Sequence, residues 1–360
     1  MDSVATGRSQ TTPSNHRVIL YHQTHHLPEN GQPVSLLPLI TNRTGVTHII
    51  VAALHLNEGS GNITLNDHNP SHEGFNALWA ESAWLQATGV KVLGMLGGAA
   101  KGTFARLDGN DVESFESYYG PLRDVIRAHR LDGLDLDVEE EMALHAIVRL
   151  IDRLRADFGR AFLITLAPVA TALLPAQPHL SGFDYFELER TRGHEIAWYN
   201  TQFYCGWGDA STTLWYDAIM TAGWKPEKVV FGLVTHPDLG AGHIDLSQMN
   251  SVLMTLRSRY PKFGGVMGWE YFKALPGARA GPWEWASSMS QMLKAPIPTS
   301  LPQQQPMRPC GAALPAASHS FPADSVKTLQ ELGFNQQQAI AALNLTSGNV
   351  EQAAGLLFAD

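Results

Sequence analysis

The chain has 360 residues, 44% of them hydrophobic, and a formal net charge of −9, which leaves room for one large core plus a small appendage. The negative charge, and the lack of any stretch that gathers Lys or Arg, argue against a nucleic-acid partner. No apolar run approaches the ~18 residues that cross a bilayer, and the opening MDSVATGRSQTTPSNH lacks the apolar segment of a secretory signal. No membrane partner and a cytoplasmic location are therefore expected.

In chain order, residues 1–15 read as a flexible N-terminus, and strands are predicted at 16–22, 47–56, 90–98, 131–139, 161–169, 198–204, 228–236 and 263–272. Each is a short apolar run, and amphipathic patterns lie between several of them, such as ESFESYYGPLRDVIRAHR before the fourth and EEMALHAIVRLIDRLRADFG after it. Strands alternating with helices imply right-handed βαβ units and a parallel sheet. Eight such units over residues 16–293 match the count and size of a closed (β/α)₈ TIM barrel, for which ~250 residues is typical. The other α/β arrangement is an open doubly wound sheet, but the chain has no G-x-G-x-x-G phosphate loop to go with it.

Residues 294–320 are dense in Pro, Gln, Ala and Ser and read as a linker. Beyond it, residues 321–360 regain helical periodicity in three short segments. Asn335 and Asn349 are placed to cap the second and third, with Gln338 and Gln352 three residues on. A small three-helix bundle is predicted there. The two cysteines, Cys205 and Cys310, fall in regions of different composition and do not form a disulfide framework.

The stretch LDGLDLDVEE, 131–140, concentrates carboxylates inside a predicted core strand. Side chains alternate along a strand, so Asp135, Asp137 and Glu139 share one face while Leu134, Leu136 and Val138 share the other. In a barrel the apolar face packs on the outer helices and the acids point inward, with Glu139 at the C-terminal mouth where barrel enzymes keep their active sites. Three carboxylates crowded in a partly dry interior cannot all ionise, so some hold protons near neutral pH, as a general acid must. The competing reading of these acids is a solvated strand or a loop carrying a divalent cation. His22, His25 and His26 could also suggest a metal, but they follow the first strand rather than share a helical face, and a loop at the cleft rim is the favoured reading. No metal or other cofactor is expected.

The segment DGLDLDVE matches the D-G-x-D-x-D-x-E signature of glycoside hydrolase family 18, the chitinases and endo-β-N-acetylglucosaminidases. The resemblance extends over residues 16–293, since NTQFYCGWG resembles the sixth-strand Q-F-Y motif of class III chitinases and GGVMGWEY the eighth-strand G-G-V-M-x-W. It implies that Glu139 is the acid/base, that Asp137 is its partner and holds the substrate acetamide N–H, and that Asp135 shares a proton with Asp137. It further implies that Tyr204 donates to the acetamide oxygen, that Gln202 helps to position it, that Trp269 forms the floor beneath the sugar, and that Tyr21 also contacts substrate. The family is a substrate-assisted exception to the two-carboxylate scheme. One departure is that Met95, in MLGG, stands where the family commonly has a serine, which removes a hydroxyl beneath the acids.

The tail segment LQELGFNQQQAIAALNLTSGNVEQAAGLLF resembles a ubiquitin-associated domain, with Leu332, Gly333 and Phe334 in the place of its M-G-F loop and Leu357 near the end of its third helix. The resemblance implies that these residues bind ubiquitin or ubiquitinated proteins. The other reading is that they serve only the bundle's own core. For the whole chain, the expected activity is hydrolysis of β-1,4 bonds next to N-acetylglucosamine in chitin oligosaccharides. Release of N-glycans, and a non-catalytic adaptor for glycan and ubiquitin, are the alternatives.

Overall fold

Among the described residues nine strands form one sheet: β1 (Arg17–His22), β2 (His48–Leu56), β3 (Ile63–Leu65), β4 (Lys91–Gly97), β5 (Gly133–Asp137), β6 (Leu163–Leu166), β7 (Trp198–Gln202), β8 (Val229–Val234) and β9 (Gly265–Trp269). All neighbouring pairs are parallel except β2 with β3. Because β1 pairs with both β2 and β9, the sheet closes into the expected barrel. This computed structural model describes residues 16–297, 325–327 and 343. The N-terminal segment 1–15, most of the linker and most of residues 321–360, where a three-helix bundle capped by Asn335 and Asn349 is predicted, lie outside the described residues.

Two layers of apolar side chains follow from the strand alternation. One lies between the strands and the outer helices, and in it the helix Leu144–Phe158 buries Ile147, Leu150, Ile151 and Leu154 at helical spacing. Truncating any one of these to Ala removes roughly 2–5 kcal/mol. The second fills the barrel itself with Ile19, Tyr21, Ile50, Leu93, Met95, Trp198, Val230 and Met267. Its lower end is closed by Arg17, whose guanidinium lies 4.4 Å from the centre of the Trp198 ring. Its upper end is polar.

Most predicted strands are trimmed by a few residues at their ends, and three further features differ from the sequence expectation. The fourth predicted strand, 131–139, is shorter, since β5 ends at Asp137, whose carbonyl accepts from Gly98 N at 2.9 Å. The helix expected from Glu140 begins at Leu144 instead, because the Glu140 carboxylate accepts from Gly102 N at 2.7 Å and Phe104 N at 2.6 Å. Glu140 thus ties the loop after β4 to the loop after β5. The third difference is β3, an antiparallel strand that the sequence reading did not contain. The helix Val112–Ala128 is capped by Asp111, which accepts from Glu113 N and Ser114 N.

Candidate active site

The pair Gly97 and Gly98 explains how β4 and β5 approach at the upper rim. Both have φ near +93°, and a Cβ at Gly97 would lie 2.3 Å from the Phe104 ring and 2.6 Å from Asp137 O. Only glycine lets the backbone pass this close. Asp137 is thereby seated in the barrel mouth, directly opposite Gly97 in the strand register.

Asp135 is fully buried one pleat below, paired in register with Met95 and Thr165. Its carboxylate accepts from Tyr21 OH at 2.6 Å, Thr165 Oγ1 at 2.5 Å and Asn200 Nδ2 at 2.9 Å. Burial raises its pKa, and these three donors oppose the rise. Met95 supplies no donor, and the donors to Asp135 are Tyr21, Thr165 and Asn200. Thr165 and Asn200 were not among the expected site residues. Both are polar groups at inward positions of apolar strands, a signal that the alternation carries.

Asp137 and Glu139 share a donor. Gln202 Nε2 lies 3.2 Å from Asp137 Oδ1, 3.3 Å from Glu139 Oε1 and 2.9 Å from Ala167 O. One amide NH₂ facing three acceptors fixes which end of Gln202 points at the acids. Burial, the Glu139 charge and the Asp135 charge together push the Asp137 carboxyl well above the usual carboxylate range. Glu139 is also raised, by burial, against the lowering effect of the Gln202 bond. The pair therefore retains a proton where exposed carboxylates lose theirs.

Tyr204 follows β7, is buried, and makes no hydrogen bond through its hydroxyl among the described residues. Burial, with Asp137 and Glu139 nearby, raises its pKa far above the phenol value, so it stays a donor. Trp269 ends β9 half-buried, its ring centre 5.4 Å from that of Tyr21 at an interplanar angle of 58°. The structure thus brings Asp135, Asp137, Glu139, Gln202, Tyr204, Tyr21 and Trp269 to one end of the barrel. Asp132 is elsewhere, bound to Val92 N, Gln86 and Lys91 at the start of the strand. Leu332, Gly333, Phe334 and Leu357 lie outside the described residues.

At the same end of the barrel a cavity of about 690 Å³ runs over the ends of β1, β2 and β4, lined in part by Gln23, Thr24, His55, Asn57, Asp67 and Lys101 and by none of the three carboxylates. His25 and His26 also line it, with each Nε2 on a backbone carbonyl, those of His22 and Gly74. Burial pushes His25 down to about 4. Among the described residues no group of three or more His, Cys, Asp or Glu could hold a metal ion, and no helix is long and apolar enough to cross a membrane.

The family model for glycosyl hydrolases family 18 matches residues 17–238, more than half of the chain. The chain belongs to this family. A second model, the UBA/TS-N domain, matches residues 321–357. Among solved structures, the family 18 barrel is similar to a fungal endo-β-N-acetylglucosaminidase, with 50% identity and a TM-score of 0.74 over 77% of this chain and 98% of that one. It is also similar to a chitinase from Aspergillus fumigatus, with 57% identity and a TM-score of 0.71 over 76% of this chain and 98% of that one. Among curated proteins, chitinase 2 of Rhizopus oligosporus is 29% identical over 217 residues, which cover 55% of this chain but only 37% of that protein.

Proposed function

We propose that this family 18 protein is a retaining, substrate-assisted hydrolase of β-1,4 linkages next to N-acetylglucosamine, with chitin oligosaccharides as substrate. The observation that carries the proposal is the Asp137–Glu139 pair, held by one Gln202 amide at the barrel mouth with both carboxyls shifted toward the protonated form. Glu139, the less buried of the two, protonates the glycosidic oxygen as the bond to the anomeric carbon breaks. The substrate's own acetamide oxygen attacks that carbon, and Asp137 accepts a hydrogen bond from the acetamide N–H. The oxazolinium ion so formed is opened by water, which gives its proton to Glu139, with net retention. Tyr204 donates to the acetamide oxygen, and the Trp269 ring stacks on the apolar face of the sugar with Tyr21 behind it. The polar cavity over β1, β2 and β4 takes the sugars that follow.

The size of that cavity, and the 50% identity to a structure described as an endo-β-N-acetylglucosaminidase, favour N-glycans as a second substrate class. Assays with a chitin oligosaccharide and a high-mannose glycopeptide side by side separate the two. Turnover of neither would overturn the hydrolase reading and leave the non-catalytic adaptor.

For the tail, the UBA/TS-N match at 321–357 supports ubiquitin as a partner, bound through Leu332, Gly333, Phe334 and Leu357. Such a small apolar patch binds weakly, and its effect is to raise the local concentration of a ubiquitinated substrate near the barrel. NMR titration of the full chain with ubiquitin should shift signals from these four residues, and an absence of shifts at millimolar ubiquitin would overturn the assignment.

A further inference from the structure

Glu270, the residue after Trp269, is a buried carboxylate, 3% exposed, that none of the chemistry above uses. Its Oε2 accepts from Gln23 N at 2.8 Å and Thr24 N at 2.9 Å, and its Oε1 accepts from Thr24 Oγ1 at 2.6 Å. No ion pair joins it among the described residues. A buried carboxyl group without an ion-pair partner is not a stabilising choice by itself, since its desolvation cost is offset only by these hydrogen bonds. What the bonds achieve is local. They fasten the first two residues beyond β1 to the end of β9, where the sugar-stacking Trp269 stands.

The same two residues line the cavity over the ends of β1, β2 and β4. From the other side Asn66 Nδ2 donates to Gln23 O at 2.9 Å, so Gln23 is clamped through both its N–H and its carbonyl. Its side chain makes no hydrogen bond among the described residues and is left for a ligand. The Glu270 backbone is anchored in turn, with its carbonyl accepting from Thr235 Oγ1 at 2.5 Å and the next residue, Tyr271, donating its N–H to Tyr21 O at 2.8 Å.

We infer that Glu270 is a positioning residue that holds the Gln23–Thr24 wall of the cavity in register with Trp269, and so sets affinity for the sugars beyond the one at the cleavage site. This rests on the cavity being part of the glycan cleft. It makes a length-dependent claim, because a disaccharide confined to the acids and Trp269 does not depend on that wall, whereas a hexasaccharide does.

The test is calorimetric titration of the full chain carrying Glu139→Gln with the hexamer and the dimer of β-1,4-linked N-acetylglucosamine. Adding Glu270→Ala should weaken hexamer binding by about tenfold, the scale of leaving buried backbone donors without a partner, and leave dimer binding unchanged. Glu270→Gln should restore most of the affinity, since its carbonyl oxygen still accepts both N–H groups while its amide donates to Thr24 Oγ1. Thr24→Val, which removes one bond and leaves the buried carboxylate in place, should give a smaller hexamer-specific loss and guards against a Glu270→Ala chain that does not fold. Equal weakening of dimer and hexamer, or no change in either, overturns the positioning role. Hexamer binding without hydrolysis by the wild-type chain would overturn chitin oligosaccharides as the substrate and not this inference, and failure of the Glu139→Gln chain to bind the hexamer would overturn this inference.

Discussion

Asp137 Oδ1 and Glu139 Oε1 lie 3.2 and 3.3 Å from the same amide nitrogen of Gln202. The two acids leave a strand end together and are tied by a third side chain from β7, two strands away. Gln202→Leu removes the donor that lowers Glu139, so the Glu139 pKa should rise. Because the proposed reaction needs Glu139 protonated, the alkaline limb of the pH profile of kcat/KM should move to higher pH. A limb that stays in place or moves down would show that Gln202 does not tune the acid.

Glu139→Gln should lower kcat by roughly 10²–10⁴-fold, the usual contribution of a general acid, with little change in sugar affinity. Steady-state kinetics alongside titration measures both, and turnover near the wild-type rate would remove Glu139 from the role.

The same carboxyls predict a stability effect. Their folded pKa values are raised, so the folded state binds more protons than the unfolded state, and stability falls as pH rises from the unfolded carboxylate value, about 4, through the folded one. Asp137→Asn and Glu139→Gln remove that penalty. Each should therefore raise Tm at pH 7, and the gain should vanish near pH 3, where the carboxyls are protonated in both states. Thermal melts across that range check it, and a lower Tm at pH 7 would contradict the assigned burial cost.

Thr165→Val takes one of three donors from the fully buried Asp135 with almost no change in shape. It should cost about 1–3 kcal/mol, as leaving a buried acceptor short of a partner does. Urea unfolding of the variant measures this, and a neutral result would mean that Tyr21 and Asn200 suffice.

The carboxylate cluster was legible because a two-residue period decides which side chains face inward, and Asp135, Asp137 and Glu139 obey it. The same rule reaches Thr165 and Asn200, whose polarity is conspicuous at inward positions of their strands. Other features have no local signal. β3 has three residues, too short to show alternation, and exists because β2 offers it an edge. Glu140 looks like the first turn of a helix, yet its partners are backbone amides of a loop 36 to 38 residues earlier. Glu270 bonds residues 246 and 247 positions away, which no reading of its neighbours could supply.

The most direct test of the central claim is the anomeric configuration of the first product released from a chitin oligosaccharide, followed by proton NMR before mutarotation. Two displacements at one carbon, first by the substrate acetamide and then by water, predict an initial β-anomer. An initial α-anomer would mean a single displacement by water, and would contradict the acetamide-assisted route built on Asp137 and Glu139.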